Sequence, residues 1–365
     1  MAATTAFAPS SASSHPHTQP QNPTHQRAPA TVQSSSDSGM GTGRAGEGDA
    51  SSAFKAAIFQ RLHPRVYLER FLAEDVRPDG RLLGIESKVN DVGDESSGIW
   101  RDVSINVGSI NTADGSALVR MGGTTIVCGV KAEIAEPDLE KPDEGFLVPN
   151  VDLPAMCHPR FKPGPPSDEA QVLSERLFET LTSSNFVAPQ SLVIQSGKAV
   201  WTLYVDATCI NYDGNVFDAA LIAMVSALMN TRLPKAEYDE DLRQTICHHE
   251  PKASLTFNGL PLSTSFGVFD SKHVLADPTA FEEPLLDSTI SIIIGENPAM
   301  EDEVLNVIQQ GIGTVNLTSA TTSGSGSVAD SALSACVNVA KHRRVELAKN
   351  VREAVKRGEG RDSSA

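Results

Sequence analysis

Three acids, Asp206, Asp213 and Asp218, crowd the stretch Asp206–Ala220, "DATCINYDGNVFDAA". The stretch ends a strand-like run, turns through Asp-Gly and enters an apolar helix. Carboxylates at such a strand–turn–helix corner can hold a proton or hand it on, and the amides opening the helix can hold an anion. Each acid also has a purely structural use. Asp213 is the turn residue of Asp-Gly, Asp218 in the first helical turn suits the dipole, and Asp206 can pair within the sheet or across a subunit interface. Two Cys/His groups, Cys157-His158 and Cys247-His248-His249, match no standard zinc spacing and lie in different halves of the chain, so no metal and no cofactor are expected. Trp201 and Phe217 read as core residues rather than as base-stacking platforms.

The elements that position these residues are legible as periodicity. Ala53–Leu62 and Pro64–Leu72 read as short helices opening the fold. "RPDGR", Arg77–Arg81, is a turn whose arginines brace it or a neighbouring subunit. Val103, Ile105 and Val107 share one strand face, and Gly122-Gly123 joins the next two strands as a hairpin. After an acidic loop, Glu136–Gly145, comes the strand "FLVPNVDL". A helix follows, with Ser167 as N-cap, Asp168 and Glu169 in its first turn, and Ala170, Leu173, Leu177 and Leu181 inward. The strand "KAVWTLYVDATCI" leads into the corner, and the helix Val216–Met229, apolar nearly all round, is expected at the centre of the molecule. A second meander follows Pro234 and an acidic stretch: "ASLTF", "LSTSFGVF", "HVLADPT", "STISIII" and "VLNVIQQ". A Gly/Ser stretch, Ser323–Ser327, leads into a closing helix, Ala329–Lys356, whose Lys341, His342, Arg343 and Arg344 are expected on a basic outer face.

The chain has 365 residues, 40% of them hydrophobic, with a net charge of −16. That charge argues against coating nucleic acid by bulk attraction but leaves room for a local basic groove. Five scattered cysteines without Cys-x-x-Cys suit a reducing compartment. Residues 1–52, rich in Ser, Thr, Pro, Gln and Ala, are expected to be a disordered tail; Arg27 and Arg44 beside Glu47 and two aspartates make a poor transit peptide. No run is apolar enough to span a membrane. The fold class is α+β in two related β–α halves, residues 53–235 and residues 236–365, the second carrying the C-terminal helix.

Taken together, "RPDGR", "GSINTADGSALVRMGGTTIVCGVKAEI", "VPNVDLP", "KPGPPSDEAQ", "DATCINYDGNVFDAALIA" and "ADPTAFEE" resemble the RNase PH family, and within it the ring subunits of the RNA exosome. The resemblance runs from about Leu62 to the C-terminus. It implies the RNase PH-like fold (ribosomal-protein-S5-domain-2-like) and a hetero-hexameric ring of RNase PH-like subunits. It further implies S1/KH cap subunits on one face, attached nucleases, and single-stranded RNA threading the channel, in nucleus, nucleolus and cytoplasm.

Phosphorolytic members of the family attack an RNA phosphodiester with inorganic phosphate, which needs a cationic cradle and an acid for the leaving oxygen. Their corner reads Asp-Gly-Gly-Thr-Arg; here the same positions read Asp213, Gly214, Asn215, Val216, Phe217, so the arginine has become phenylalanine. A second phosphate arginine falls nearest Pro166. The catalytic aspartate falls on Thr289, with Asp287 two residues earlier as a weaker candidate. No catalytic residue is therefore assigned, and the three acids take their structural reading. By resemblance Arg160 and Lys162, in "MCHPRFKPG", lie toward the channel, where contact with the RNA backbone competes with plain solvation; Arg176 is a further candidate, with a surface ion pair as its alternative. The resulting reading is a non-catalytic ring subunit serving 3′-end RNA processing and decay. The alternatives are an active phosphate-dependent 3′-to-5′ exoribonuclease and an independent RNA-binding module.

Overall fold

The computed structural model describes residues 46–83, 99–270, 272–296, 303–311 and 327–362. The expected tail up to residue 45 and the Gly/Ser stretch before residue 327 lie outside them. The chain divides after Phe54 into two units, and the second holds every element below apart from the first turns of the opening helix.

Two helices, α1 (Gly46–Leu62) and α2 (Pro64–Leu72), open the fold, with Pro64 at the first helical position where its missing N–H is no loss. The first sheet contains β1 (Val103–Val107), β2 (Gly115–Met121), β3 (Thr124–Ala135), β4 (Phe146–Asp152), β5 (Val193–Gln195) and β6 (Ala199–Asn211), in the order β1-β2-β3-β6-β4 with β5 also on β6. All its pairs are antiparallel except β4 on β6. The crossover from β4 carries α3 (Asp168–Ser183), where the Ser167 side chain accepts from the Ala170 N–H as an N-cap should. Alternate residues of β3 and β6, among them Ile126, Cys128, Val130, Val205, Ala207 and Cys209, face inward and are buried.

Across that inner face lies α4 (Val216–Met229). Every residue from Val216 to Leu228 is buried, because α4 packs on β2 and β3 on one side and on the second sheet on the other. That second sheet has the order β10-β9-β11-β12: β9 (Leu262–Phe269), β10 (His273–Ala276), β11 (Ser288–Gly295) and β12 (Glu303–Gly311). Its far face holds Phe266, Ile290, Ile292 and Ile294 against α5 (Ser327–Asp362).

One element is added and one expectation corrected. The acidic stretch after Pro234, to which periodicity assigns no element, lies in a two-stranded ribbon, β7 (Arg232–Asp239) and β8 (Gln244–Ser254), and only the end of "ASLTF" departs from it. Leu233 is buried and the rest of β7 is half-buried or exposed, whereas the described residues of β8 are nearly all exposed, so β8 shows no alternation. Arg343 and Arg344 do not lie on an outer face of α5; both side chains are buried. The Arg343 guanidinium sits 5.2 Å from the Trp100 ring centroid and donates to Arg101 O at 3.2 Å, while Arg344 pairs with Glu296 at 3.1 Å. A long stem and planar head let arginine close a helix–sheet seam that periodicity assigns to solvent.

Candidate functional site

The corner forms where β6 ends, Asp213-Gly214 turns the chain, and α4 begins. Gly214 has φ +79°, and a Cβ there would stand 2.5 Å from Thr279 C and 2.6 Å from Ala280 N. The turn is thus pressed against the loop between β10 and β11, which brings Asp277, Glu282 and Glu283 to the corner. Asn215, with φ 51°, precedes α4 but does not cap it with its side chain. Its amide instead donates to Asp218 Oδ2 and Asp277 Oδ1, both at 2.8 Å.

Asp277 is the hub. Arg101 grips it in bidentate fashion, Nε to Oδ2 at 2.7 Å and Nη2 to Oδ1 at 2.6 Å, and Arg81 Nη1 lies 3.3 Å from Oδ2. Burial alone would push this carboxyl up, but the Arg101 hydrogen bonds and charge, with Asn215 and Arg81, hold it down at about 2. Arg101 also donates to Asp213 O at 2.7 Å and faces the Asp213 carboxylate at 3.6 Å. Behind it, Arg77 and Glu282 form a fully buried pair, Nε to Oε1 at 2.9 Å, and Arg77 adds a 2.5 Å bond to Ala276 O. Arg77 and Arg81, expected to brace their turn or a neighbouring subunit, brace this loop as well.

Asp218 stands in the first turn of α4, as expected, and has a second structural use. It is buried, and its carboxylate accepts from Ser263 Oγ, Ser265 Oγ, Ser265 N and Asn215, tying α4 to β9. Burial pushes its carboxyl up against the pull of those donors. Asp206 pairs within the first sheet, accepting from Asn150 Nδ2 at 3.2 Å.

The N-terminus of α4 is already occupied. The Asn215 N–H, the donor an anion would meet first, gives its hydrogen bond to Glu283 Oε1 at 2.7 Å. The other oxygen of Glu283 accepts from the Tyr212 hydroxyl. Burial, then the neighbouring Glu283 charge, push the Tyr212 phenol up; burial likewise raises the Glu283 carboxyl. The Arg160 guanidinium stacks 4.5 Å over the Tyr212 ring and 4.8 Å over Phe161, and pairs with Glu169. Phe217 is buried in the main core, as expected. Each arginine of the corner therefore has a carboxylate partner, and among the described residues the arrangement offers an incoming phosphate no uncommitted cation.

The remaining residues fall elsewhere. Lys162 is exposed and, among the described residues, makes no ion pair; Arg176 is half-buried on α3 with Glu179 three positions on. Pro166 stands just before the Ser167 N-cap of α3, its carbonyl accepting from Gln171. Thr289 lies opposite Gly267 on the face of β11 that also carries Ser291, which bonds Ser265; Asp287 precedes the strand. Cys157 is buried beside Cys209, whereas Cys247 is exposed on β8. The residues missed in the sequence are Arg101, Asp277, Glu282 and Glu283. "ADPTAFEE" contains three of them, but their partners stand so far along the chain that no spacing pairs them.

Residues 100–234 match the model of the RNase PH family, described as 3′ exoribonuclease family, domain 1. The chain is 43% identical over 245 residues to the exosome complex component rrp43 of Schizosaccharomyces pombe, covering 67% of this chain and 85% of that protein. It is 36% identical over 221 residues to the exosome complex component Rrp42 of Methanothermobacter thermautotrophicus, covering 57% of this chain and 80% of that one. Among solved structures, a chain of the Archaeoglobus fulgidus exosome with RNA bound to the active site is similar with a TM-score of 0.61 at 26% identity, over 78% of this chain and 96% of that chain.

Proposed function

The chain belongs to the RNase PH family of 3′ exoribonucleases, and on that premise we propose that it is a non-catalytic subunit of the exosome core ring, working in 3′-to-5′ RNA processing and degradation. One observation carries the non-catalytic reading: the carboxylate of Glu283, not an anion-binding cation, stands at the N-terminus of α4. The position that holds a phosphate arginine in active relatives is by resemblance Phe217, which is buried. An added phosphate would meet a like charge at the one place where amide dipoles favour it, and charge-assisted contacts worth about 1.5–3 kcal/mol each would be missing. The subunit's contribution is to complete a ring of RNase PH-like subunits, support S1/KH cap subunits and attached nucleases, and line part of the path of single-stranded RNA, in nucleus, nucleolus and cytoplasm.

The purified chain, alone and with its ring neighbours, is expected to release no nucleoside diphosphate from labelled RNA in the presence of phosphate. Complexes purified from cells on this subunit should show the native mass of a multi-subunit ring. Diphosphate release that tracks this subunit would establish the exoribonuclease alternative, and a lone monomer would establish the independent RNA-binding module.

Arg160, Lys162 and Arg176 are the proposed RNA contacts. Lys162 is free to approach a phosphate, and Arg160 is held in one orientation by Tyr212, Phe161 and Glu169. Neutralising Arg160 and Lys162 together should weaken RNA binding by the assembled ring alike for all sequences. The log–log salt slope should flatten by about 0.7 for each single-strand phosphate that the loop no longer neutralises. An unchanged slope in the reconstituted ring would show that the loop is merely solvated.

A further inference from the structure

Several large apolar side chains left in solvent gather around β4 and α3. Val148 and Phe178 are 41% and 42% exposed and both line a cleft of about 370 Å³ between the strand and the helix. Tyr204, paired with Val148 on the outer face of the first sheet, is 38% exposed, and Phe146 at the start of β4 is 36% exposed. Clustered apolar exposure of this kind marks a contact surface far better than scattered single residues do.

The edge itself narrows what can sit there. β4 ends the first sheet, and an open sheet edge ordinarily invites another strand. Here Pro149 has no N–H to offer, and the Val151 N–H is spent on Ser174 Oγ at 2.9 Å. Strand addition is blunted, leaving a pocket suited to side chains. Its charge narrows the choice again. Among the described residues Glu175 is the one charged side chain lining the cleft, and exposed Glu179 follows Phe178. With Arg176 on the same helix drawn to Glu179, the Glu175 carboxylate is the charge left at the cleft, and it favours lysine or arginine over a phosphate.

We propose that the β4–α3 cleft seats an apolar anchor, flanked by Lys or Arg, from a neighbouring RNase PH-like subunit of the ring; this rests on the ring reading above. The cleft has room for one or two large side chains, whereas a stable interface buries about 800 Å² per partner. It is therefore the desolvated centre of a wider contact, where binding energy concentrates. Because the matching protrusion belongs to a different subunit, the contact is heterologous, the type that closes rings.

The test is reconstitution of the ring from the full-length chain and the remaining RNase PH-like subunits, followed by native mass and titration of subunit affinity. Val148→Asp and Phe178→Asp should each weaken incorporation at least about thirtyfold, the scale of a central anchor, and Glu175→Lys should weaken it less. Leu139→Asp, at a residue 98% exposed elsewhere, should assemble like the unaltered chain. Melting curves of the free chain should keep one cooperative transition at a modestly lower temperature for the Val148 and Phe178 variants, which are part-covered, and an unchanged one for Leu139→Asp. Normal incorporation of both aspartate variants while the unaltered chain joins the ring overturns the cleft assignment alone; failure of the unaltered chain to join overturns the ring reading with it. A photo-crosslinker at position 178 that captures RNA instead of a subunit also overturns the assignment.

Discussion

Asp277→Asn is expected to destabilise the folded chain by about 3–5 kcal/mol, the scale for breaking a buried ion pair from one side. Asparagine keeps the shape and tolerates the left-handed backbone at this position, φ 51°, so the change removes the charge and turns one acceptor oxygen into an amide donor that faces the donors of Arg101 and its neighbours. It leaves Arg101, gripped at 2.6 and 2.7 Å in the native protein, with only the half-exposed Asp213 carboxylate at 3.6 Å, and Arg81 loses part of its partnership. The effect depends on pH with a definite sign. The Asp277 carboxyl is depressed from 3.8 to about 2, so its contribution is fully present above the unfolded value and disappears as pH falls through the folded one. That linkage is worth roughly 2 kcal/mol. Asp218 and Glu283, raised by burial, titrate with the opposite sign, their contribution fading as pH rises, but both remain in the variant and largely cancel. Urea melts at neutral pH should show the full loss, and the gap between the two proteins should narrow between about pH 4 and pH 2. A gap that stays constant across that window would mean Asp277 is not the anion holding the corner.

The parts of the fold legible in the sequence are those whose cause is local. α4 announced its burial because Val216–Met229 is apolar on every side; α3 announced its start through Ser167, and the β2–β3 hairpin through Gly122-Gly123. The β7–β8 ribbon did not, since the described residues of β8 are nearly all exposed and show no alternation, and Pro234 interrupts the pattern of β7. The corner was half legible. A departure from the active pattern is expected at Phe217 on the resemblance alone, in one residue type. What fills the space could not be read, because Arg101 meets Asp277 across 176 positions and Arg77 meets Glu282 across 205. Charged residues carry a prior for the surface, so Arg343 and Arg344 were assigned outward although their heads close a seam near Trp100 and Glu296. Conversely, Phe178 and Val148 carry a prior for the core and lie open to solvent.

Arg77 and Glu282 should behave as one unit. Both side chains are 1% exposed, and the pair is locked by further bonds: Arg77 to Ala276 O and Asp277 O, Glu282 to the Thr279 N–H and hydroxyl. Arg77→Met leaves a buried carboxylate with Thr279 and a distant Arg81, at 4.0 Å, to satisfy it, and Glu282→Gln leaves a buried guanidinium without its paired carboxylate. Each single change should cost about 3–5 kcal/mol, mainly from the charge left behind rather than from the missing attraction. The double variant removes both charges and keeps an amide oxygen for Thr279, so it should fall short of the summed single effects by at least about 2 kcal/mol. The residual cost measures the Ala276 carbonyl, which loses the Arg77 donor, and the Asp277 carbonyl, which keeps Arg81 alone. Because these bonds join the turn at residues 77–81 to the loop that carries Glu283 to α4, the same cycle tests whether the N-terminal turn holds the corner closed. Additive single effects in urea melts of the full-length chain would show two independent charges, and the turn would then be a passenger rather than a brace.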